Sequence, residues 1–460
     1  MQNSSTGKKG MFVTADGQNV AFTFILVSSL FLLWGFCNGM IDVMDKHFQE
    51  ELHLTLSQSA WVQFAHYLGY FLMSLPAGWL AIKLGYKGGI ISGLLMVAAG
   101  GFWFLEATKI SAFWAFLLGV CVIASGLTFL ETVANPYTTV LGDQRFAATR
   151  INLAQSCNGI GWIFGPIAGR KFFYATNAAG QSTGGQTLWI PYVAVAVVVV
   201  ILAVVFRFAN VPDIKMEDDY RLDEPDAANS NAPAAPVGNR CAAMFALWLN
   251  IVVLAAAIGM IVSAIASIFV TDGGKILTMS LEAGAVVALI GSVILFARAK
   301  SISRHSIWVH PHFSSATLAQ FFYVAAQSGI FAYFINYMTS QAPMKISNAD
   351  ASSLASLGFI CFLSGRFIGA GLLRKFPAHK VLGIFGLGVR AKKAAGYIVM
   401  AIMGGAIMPK LMGHIADKTD ISHGFIVPMG CFAIVALYAF LWPKLANSEG
   451  MHGVDPARAH

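Results

Sequence analysis

Twelve times along this chain an apolar run of bilayer-crossing length begins and ends. The runs lie near 20–44, 59–83, 88–106, 111–141, 148–173, 188–209, 241–270, 276–298, 314–339, 353–373, 394–414 and 423–443. A hydrocarbon core of about 30 Å takes roughly 20 residues of helix. Inside it, each backbone N–H and C=O must find its partner within the chain, so runs of this length are expected to be helices. The fold class implied is an all-α polytopic membrane protein. Only 11% of the 460 residues are charged and 57% are hydrophobic, whereas soluble domains carry roughly 25% charge. A water-facing surface cannot be built from so few charges.

The net charge of +8 is that of Lys and Arg on short cytoplasmic loops, so no nucleic-acid partner is implied. Six cysteines are scattered singly with no CxxC pair, which signals neither a disulfide framework nor a zinc site. Lys8 and Lys9 precede an apolar stretch, as in a signal peptide. That stretch passes Phe36 without a cleavage site and reads as the first transmembrane helix.

The basic loops GYKGG at 85–89 and GDQRFAATR at 142–150 are expected inside, and the acidic HFQEELHLTLSQ at 47–58 outside. The expected organisation is a cytoplasmic tail at 1–19, a six-helix bundle at 20–210 and a cytoplasmic linker at 211–240. An added transmembrane hairpin at 241–300, a second bundle at 313–444 and a tail at 445–460 complete it. The linker is rich in Asp, Glu, Pro, Ala and Asn, a composition of disordered segments. AGWLAIKLGYKGGIISG at 77–93 and AGLLRKFPAHKVLGIFG at 370–386 align without a gap at Ala77/Ala370, Gly78/Gly371, Leu80/Leu373, Lys87/Lys380, Ile91/Ile384 and Gly93/Gly386. Chance likeness of glycine-rich segments is one reading. Duplication is the other, and two repeats flanking a site are the layout of alternating-access transporters.

Glu131 is the only acidic or basic residue between Ile110 and Gly142. A carboxylate facing lipid costs about 2.5 kcal/mol or more, and intramembrane carboxyls mark proton or ion paths. Thr128, Asn135 and Thr138 share its helix face, and Pro136 removes a backbone hydrogen bond just beyond. A carboxyl buried for packing alone is the competing reading. The fifth span carries NLAQSCNGIGW at 152–162, with Asn152, Gln155, Ser156, Asn158 and Trp162 largely on one side. Amides suit a polyol, and an indole face suits the C–H groups of a sugar ring; helix–helix hydrogen bonding is the alternative for any one amide.

In the first span, Asn38 and Gly39 are expected to weaken the helix before Asp42, which spacing alone leaves as either a site residue or a solvated end charge. Asp45 and Lys46 read as the water boundary. Gln320, Tyr323 and Gln327 form a stripe in the second half, with Asn336 further along, and Arg366 near a cytoplasmic helix end reads as snorkelling. His310 and His312 lack helical spacing and a neighbouring carboxylate, so no metal is implied. No nucleotide-binding glycine loop or nucleophile elbow occurs. No enzyme, cofactor or protein partner is implied.

FLLWGFCNGMIDVMDKHFQE, GLTFLETVANPYTTVLG, RINLAQSCNGIGW, LAQFFYVAAQSGIFAYFINYM and GYIVMAIMGGAIMPKLMGHIADK resemble the fucose:proton symporter family of the major facilitator superfamily. The resemblance implies two six-helix bundles and sugar/proton symport. It implies that Glu131 in the LETxANP motif and Asp42 after a broken first helix serve sugar binding and proton coupling, and that Gln155 and Asn158 line the cavity. The chain departs from the family twice: the hairpin at 241–300 is extra, and a helix pair is missing where KVLGIFG runs into LGVRAKKAAGYIVM near 381–393.

The expected function is import of a monosaccharide with protons across the bacterial inner membrane, L-fucose first. Glu131 and Asp42 are the expected coupling groups. Asn38, Asn135, Gln155, Asn158, Trp162, Gln320, Tyr323 and Gln327 join those two as the sugar-binding set. Glucose, galactose or N-acetylglucosamine import is the near alternative. A non-transporting sugar sensor or decayed paralogue is the distant one, motivated by the missing helix pair.

Overall fold

The computed structural model describes residues 10–14, 17–143, 146–174, 184–212, 240–270, 272–302, 308, 310–341, 345–372, 397 and 399–445. The linker at 213–239, the second repeat copy from 373 onward, the 381–393 junction, the tails at 1–9 and 446–460, and the Arg366 side chain lie outside the described residues.

The first half runs α1 (Ala21–Glu51), α2 (Leu56–Ser59), α3 (Trp61–Ile110), α4 (Phe113–Val140), α5 (Ala147–Phe172), α6 (Gly184–Thr187) and α7 (Trp189–Phe208). α3 holds two of the apolar runs. As a straight rod its 50 residues would reach about 75 Å, more than twice the hydrocarbon core. Gly85, with φ of 71°, breaks the rod at the basic turn GYKGG; an L side chain is strained there, and glycine is not.

α1 runs unbroken past Asn38 and Gly39, contrary to the expected weakening. The reason for Gly39 is packing. Gly35 and Gly39 on α1 face Gly161 and Gly165 on α5, two glycine pairs each one turn apart. A Cβ on Gly35 would lie 2.0 Å from the Asn158 carbonyl oxygen, and one on Gly165 would lie 2.4 Å from the Gly39 carbonyl carbon. Small residues at four-residue spacing let membrane helices meet backbone to backbone.

The second half runs α8 (Arg240–Phe269), α9 (Gly273–Arg298), α10 (Pro311–Ser340), α11 (Asn348–Leu372), α12 (Gly404–Lys418, after a 3-10 turn at Ala401–Met403), α13 (Ile421–Gly424) and α14 (Ile426–Leu445). The eleventh apolar run, read at 394–414, forms α12 only from Gly404 and continues to Lys418. Lys410 is accommodated because its ammonium sits 3.0 Å from the centroid of the Trp61 ring, a cation–π contact that repays lost hydration. The hairpin α8–α9 is fastened to α10 by Asn250, which donates to the Ser314 carbonyl at 2.8 Å and accepts from the Thr317 hydroxyl at 2.7 Å. Met260, Ile261 and Ala264 of α8 pack with Phe64, Tyr67 and Met403.

Among the described residues, eight helical segments are apolar enough to cross a membrane by length and composition. The other four apolar runs fall in the first part of α3, in α5, in α11 and in α12, and polar residues dilute them. The halves meet through these segments, α3 on α12 and α5 on α11, and also through α1 on α10 and α2 on α12.

Candidate functional site

The site is built outward from α4, whose last turn leaves carbonyls without helical partners. The buried Arg150 guanidinium takes them up. It donates to the carbonyls of Thr138 (3.0 Å), Thr139 (2.6 Å) and Asp143 (2.9 Å), and to that of Met11 at 3.0 Å. A cation at a helix C-terminus also complements the helix dipole. α4 is thereby held at its C-terminal end, and Glu131 is held with it.

Glu131 points into the protein. Its Oε2 is enclosed and has no hydrogen-bond partner. The hydroxyls of Tyr67 and Tyr70 are close enough to feel its charge. Tyr70 accepts from the Trp34 indole at 2.6 Å and is reached by the Asn38 amide.

Asp42 is 7% exposed, so it is no solvated end charge. Its Oδ1 accepts from the Gln63 amide at 2.9 Å, while Oδ2 has no partner. Gln63, 1% exposed, turns its own oxygen toward the Ser328 hydroxyl of α10 at 3.3 Å. Ser328 also meets the Tyr67 hydroxyl and lies 3.2 Å from the Gly405 carbonyl. A chain of polar contacts therefore runs from Asp42 in the first half to Ser328 in the second. Tyr67 is its hub, within electrostatic reach of Asp42, Glu131 and Tyr323.

The remaining expected residues divide into groups. Gln155 donates to Asn135 at 2.9 Å, joining α5 to α4 beside Glu131. Trp162 packs at a tilt against Phe359 of α11 and Phe331 of α10, at centroid distances of 4.9 and 6.1 Å, so three rings from both halves form one aromatic cluster. Asn158 is buried at the α1–α5 contact and donates to the Phe31 carbonyl at 3.4 Å. Gln320 and Gln327 are half-buried on α10. Thr128, Thr138 and Ser156 spend their hydroxyls on carbonyls of their own helices. The rings of His310 and His312 are 5.6 Å apart, and no three His, Cys, Asp or Glu residues converge on a metal among the described residues.

One reading is overturned. Asp45 is no water-boundary charge: it is 0% exposed, because α1 continues beyond it and α2 folds back over it. Gln63, Tyr67, Tyr70 and Ser328 were not among the expected site residues. Three of them stand in WVQFAHYLGY at helical spacings of four and three, the same kind of stripe that marks α5.

The sequence pattern of the Major Facilitator Superfamily matches residues 22–454. The glucose/galactose transporter of Brucella abortus (strain 9-941) is 28% identical over 439 residues, covering 94% of this chain and 96% of the relative. The L-fucose-proton symporter of Escherichia coli (strain K12) is 29% identical over 477 residues, covering 90% and 92%. A crystal structure of the E. coli fucose:proton symporter superposes with a TM-score of 0.57 at 25% identity, covering 92% of this chain and 99% of that one.

Proposed function

The chain belongs to the major facilitator superfamily, and from that premise we propose that it imports a monosaccharide together with protons, with L-fucose the first candidate. It is a multi-pass membrane transporter, not an enzyme. The observation that carries the reading is the pairing of two enclosed carboxyls, Glu131 and Asp42, around Tyr67 and Tyr70, with a polar link through Gln63 to Ser328 of the opposite half.

Glu131, with an oxygen that no protein group satisfies, is the proton carrier. Asp42 has one oxygen engaged by Gln63 and one left to accept a sugar hydroxyl. Charge-assisted hydrogen bonds of that kind are about twice as strong as neutral ones. Trp162, Phe331 and Phe359 supply the apolar face, and Asn38, Asn135, Gln155, Tyr323, Gln320 and Gln327 the neutral donors and acceptors. Asn158 contributes by holding α5 against α1. Sugar and proton move the carrier between its two access states only through differential affinity for them, so the link from Asp42 to the second half is where sugar binding would be felt by both halves.

Glucose or galactose is the second candidate substrate, because relatives named for these sugars and for fucose match this chain at 28% and 29% identity. The test is uptake of labelled L-fucose, D-galactose and D-glucose into proteoliposomes, with and without an inward proton gradient. Gradient-driven uptake of one sugar that Glu131→Gln no longer shows is the expected result. Uptake in Glu131→Gln that still responds fully to the gradient removes the role given to Glu131, and absence of uptake of all three sugars removes the transport reading.

A further inference from the structure

The two halves are locked together at the ends that the loop charges place outside. The Asp417 carboxylate of α12 accepts the Leu56 and Ser57 amides at the start of α2, both at 2.9 Å. The Tyr333 hydroxyl of α10 lies 2.8 Å from the Leu56 carbonyl. Arg170 reaches Asp350 at 3.3 Å and Ser353 at 2.7 Å, Ser352 donates to the Pro166 carbonyl at 2.8 Å, and Asn348 donates to Glu50.

Asp45 lies beneath this lock, one turn outward of Asp42. Its side chain is fully enclosed, and neither carboxylate oxygen has a hydrogen-bond partner. Ser59 of α2 is near, but its hydroxyl donates to the Leu56 carbonyl at 3.1 Å. On α1, Asp42 is the neighbouring acid, and Lys46 is paired with Glu50 at 3.1 Å. His47, also buried, packs its ring against Phe48, Phe173 and Tyr174. From the packed elements, Tyr174 faces the region beyond α5, Tyr333 faces it from α10, and Asp417 lies behind Tyr333. Tyr174 donates to the Val43 carbonyl at 3.0 Å and not to Asp45. An enclosed carboxylate whose neighbouring hydroxyl, Ser59, and neighbouring cation, Lys46, are both engaged elsewhere is costly, and a bound proton removes that cost.

We propose that Asp45 is a second proton-binding site, separate from Glu131, which holds a proton while the outer lock is shut and releases it to the outer solution when the lock opens. The proton adds to one carboxylate oxygen and leaves from it to the same side, so it is not carried across. Protonation stabilises the shut state, and rising external pH favours opening, to the extent that the two states differ in proton affinity. The proposal rests on the two-state transporter reading above, and its test does not require sugar.

The test is deuterium exchange at residues 52–60 of the purified full-length protein in nanodiscs, between about pH 5 and 8 and corrected for the intrinsic rate. The wild type is expected to show severalfold more exchange at the upper end, and Asp45→Asn to stay at the low value throughout. Should Asp45→Asn fail to fold, Asp45→Ser takes its place. Flat exchange in the wild type, or the full pH rise retained in either neutral variant, overturns the proposal. A wild type that shows the rise, lost in the variant, but moves no sugar upholds the proton site and removes the transport reading. A wild type that transports while the variant keeps the rise removes the proton site alone.

Discussion

The helices that face each other across the site are unlike. α1 and α4 of the first half bring carboxyls into the membrane: Asp42, Asp45 and Glu131. α10, their counterpart in the second half, has no Asp, Glu, Lys or Arg over its whole length from Pro311 to Ser340. Both halves pack closely at glycines, Gly35 and Gly39 against α5 in the first and Gly404 against the Phe321 carbonyl in the second, but Gly358 and Gly430 of the second half have nothing within 4 Å of where a Cβ would stand. The difference assigns the labour. On the proposed function, proton chemistry belongs to the half that carries the carboxyls, and the other offers hydroxyls, amides and rings.

The largest expected effect tests the charge side of this contrast. Glu131→Gln abolishes gradient-driven uptake in proteoliposomes, while Gln320→Ala in α10 only weakens sugar affinity, by about 1 kcal/mol or roughly fivefold. Equal losses would break the contrast. Next comes Gly39→Val, whose Cβ would stand 2.8 Å from the Trp162 carbonyl oxygen; overpacking of this kind costs about 2 kcal/mol or more, read as a lower thermal midpoint. Gln63→Leu leaves Asp42 without its donor and cuts the link to Ser328. A buried acceptor left unmade costs about 1–3 kcal/mol, seen as a KM for sugar raised roughly tenfold. The smallest effect has the opposite sign. Gly358→Ala, in open space, raises the midpoint slightly, by about 0.5–1 kcal/mol of stability.

Much of this was legible in the sequence. Glu131 stood alone in an apolar run, and the stripe of Asn135, Gln155 and Trp162 followed from helical spacing, because both signals are local. Asp45 was misread for the opposite reason. Its burial depends on α2 folding back and on Tyr333 and Asp417 arriving from the far end of the chain, which no window along α1 contains. Lys410 likewise stood inside its apolar run with no visible partner, since the ring that accepts its charge, Trp61, belongs to the other half. The unbroken course of α1 through Asn38 and Gly39 was hidden because a glycine that weakens an isolated helix is, in this membrane pair, the means of close contact.

That contact has a mechanical consequence. Where Gly35 and Gly39 rest on Gly161 and Gly165 there is no side-chain cushion to compress or slide over, so α1 and α5 travel as one beam. Asp42 and Trp162 stand on that beam at a fixed distance, like two fingers of one hand. On the proposed function, a sugar held between them leaves the spacing of α1 and α5 unchanged. On that reading the adjustment to the sugar falls on the contacts this beam makes with α10 and α11.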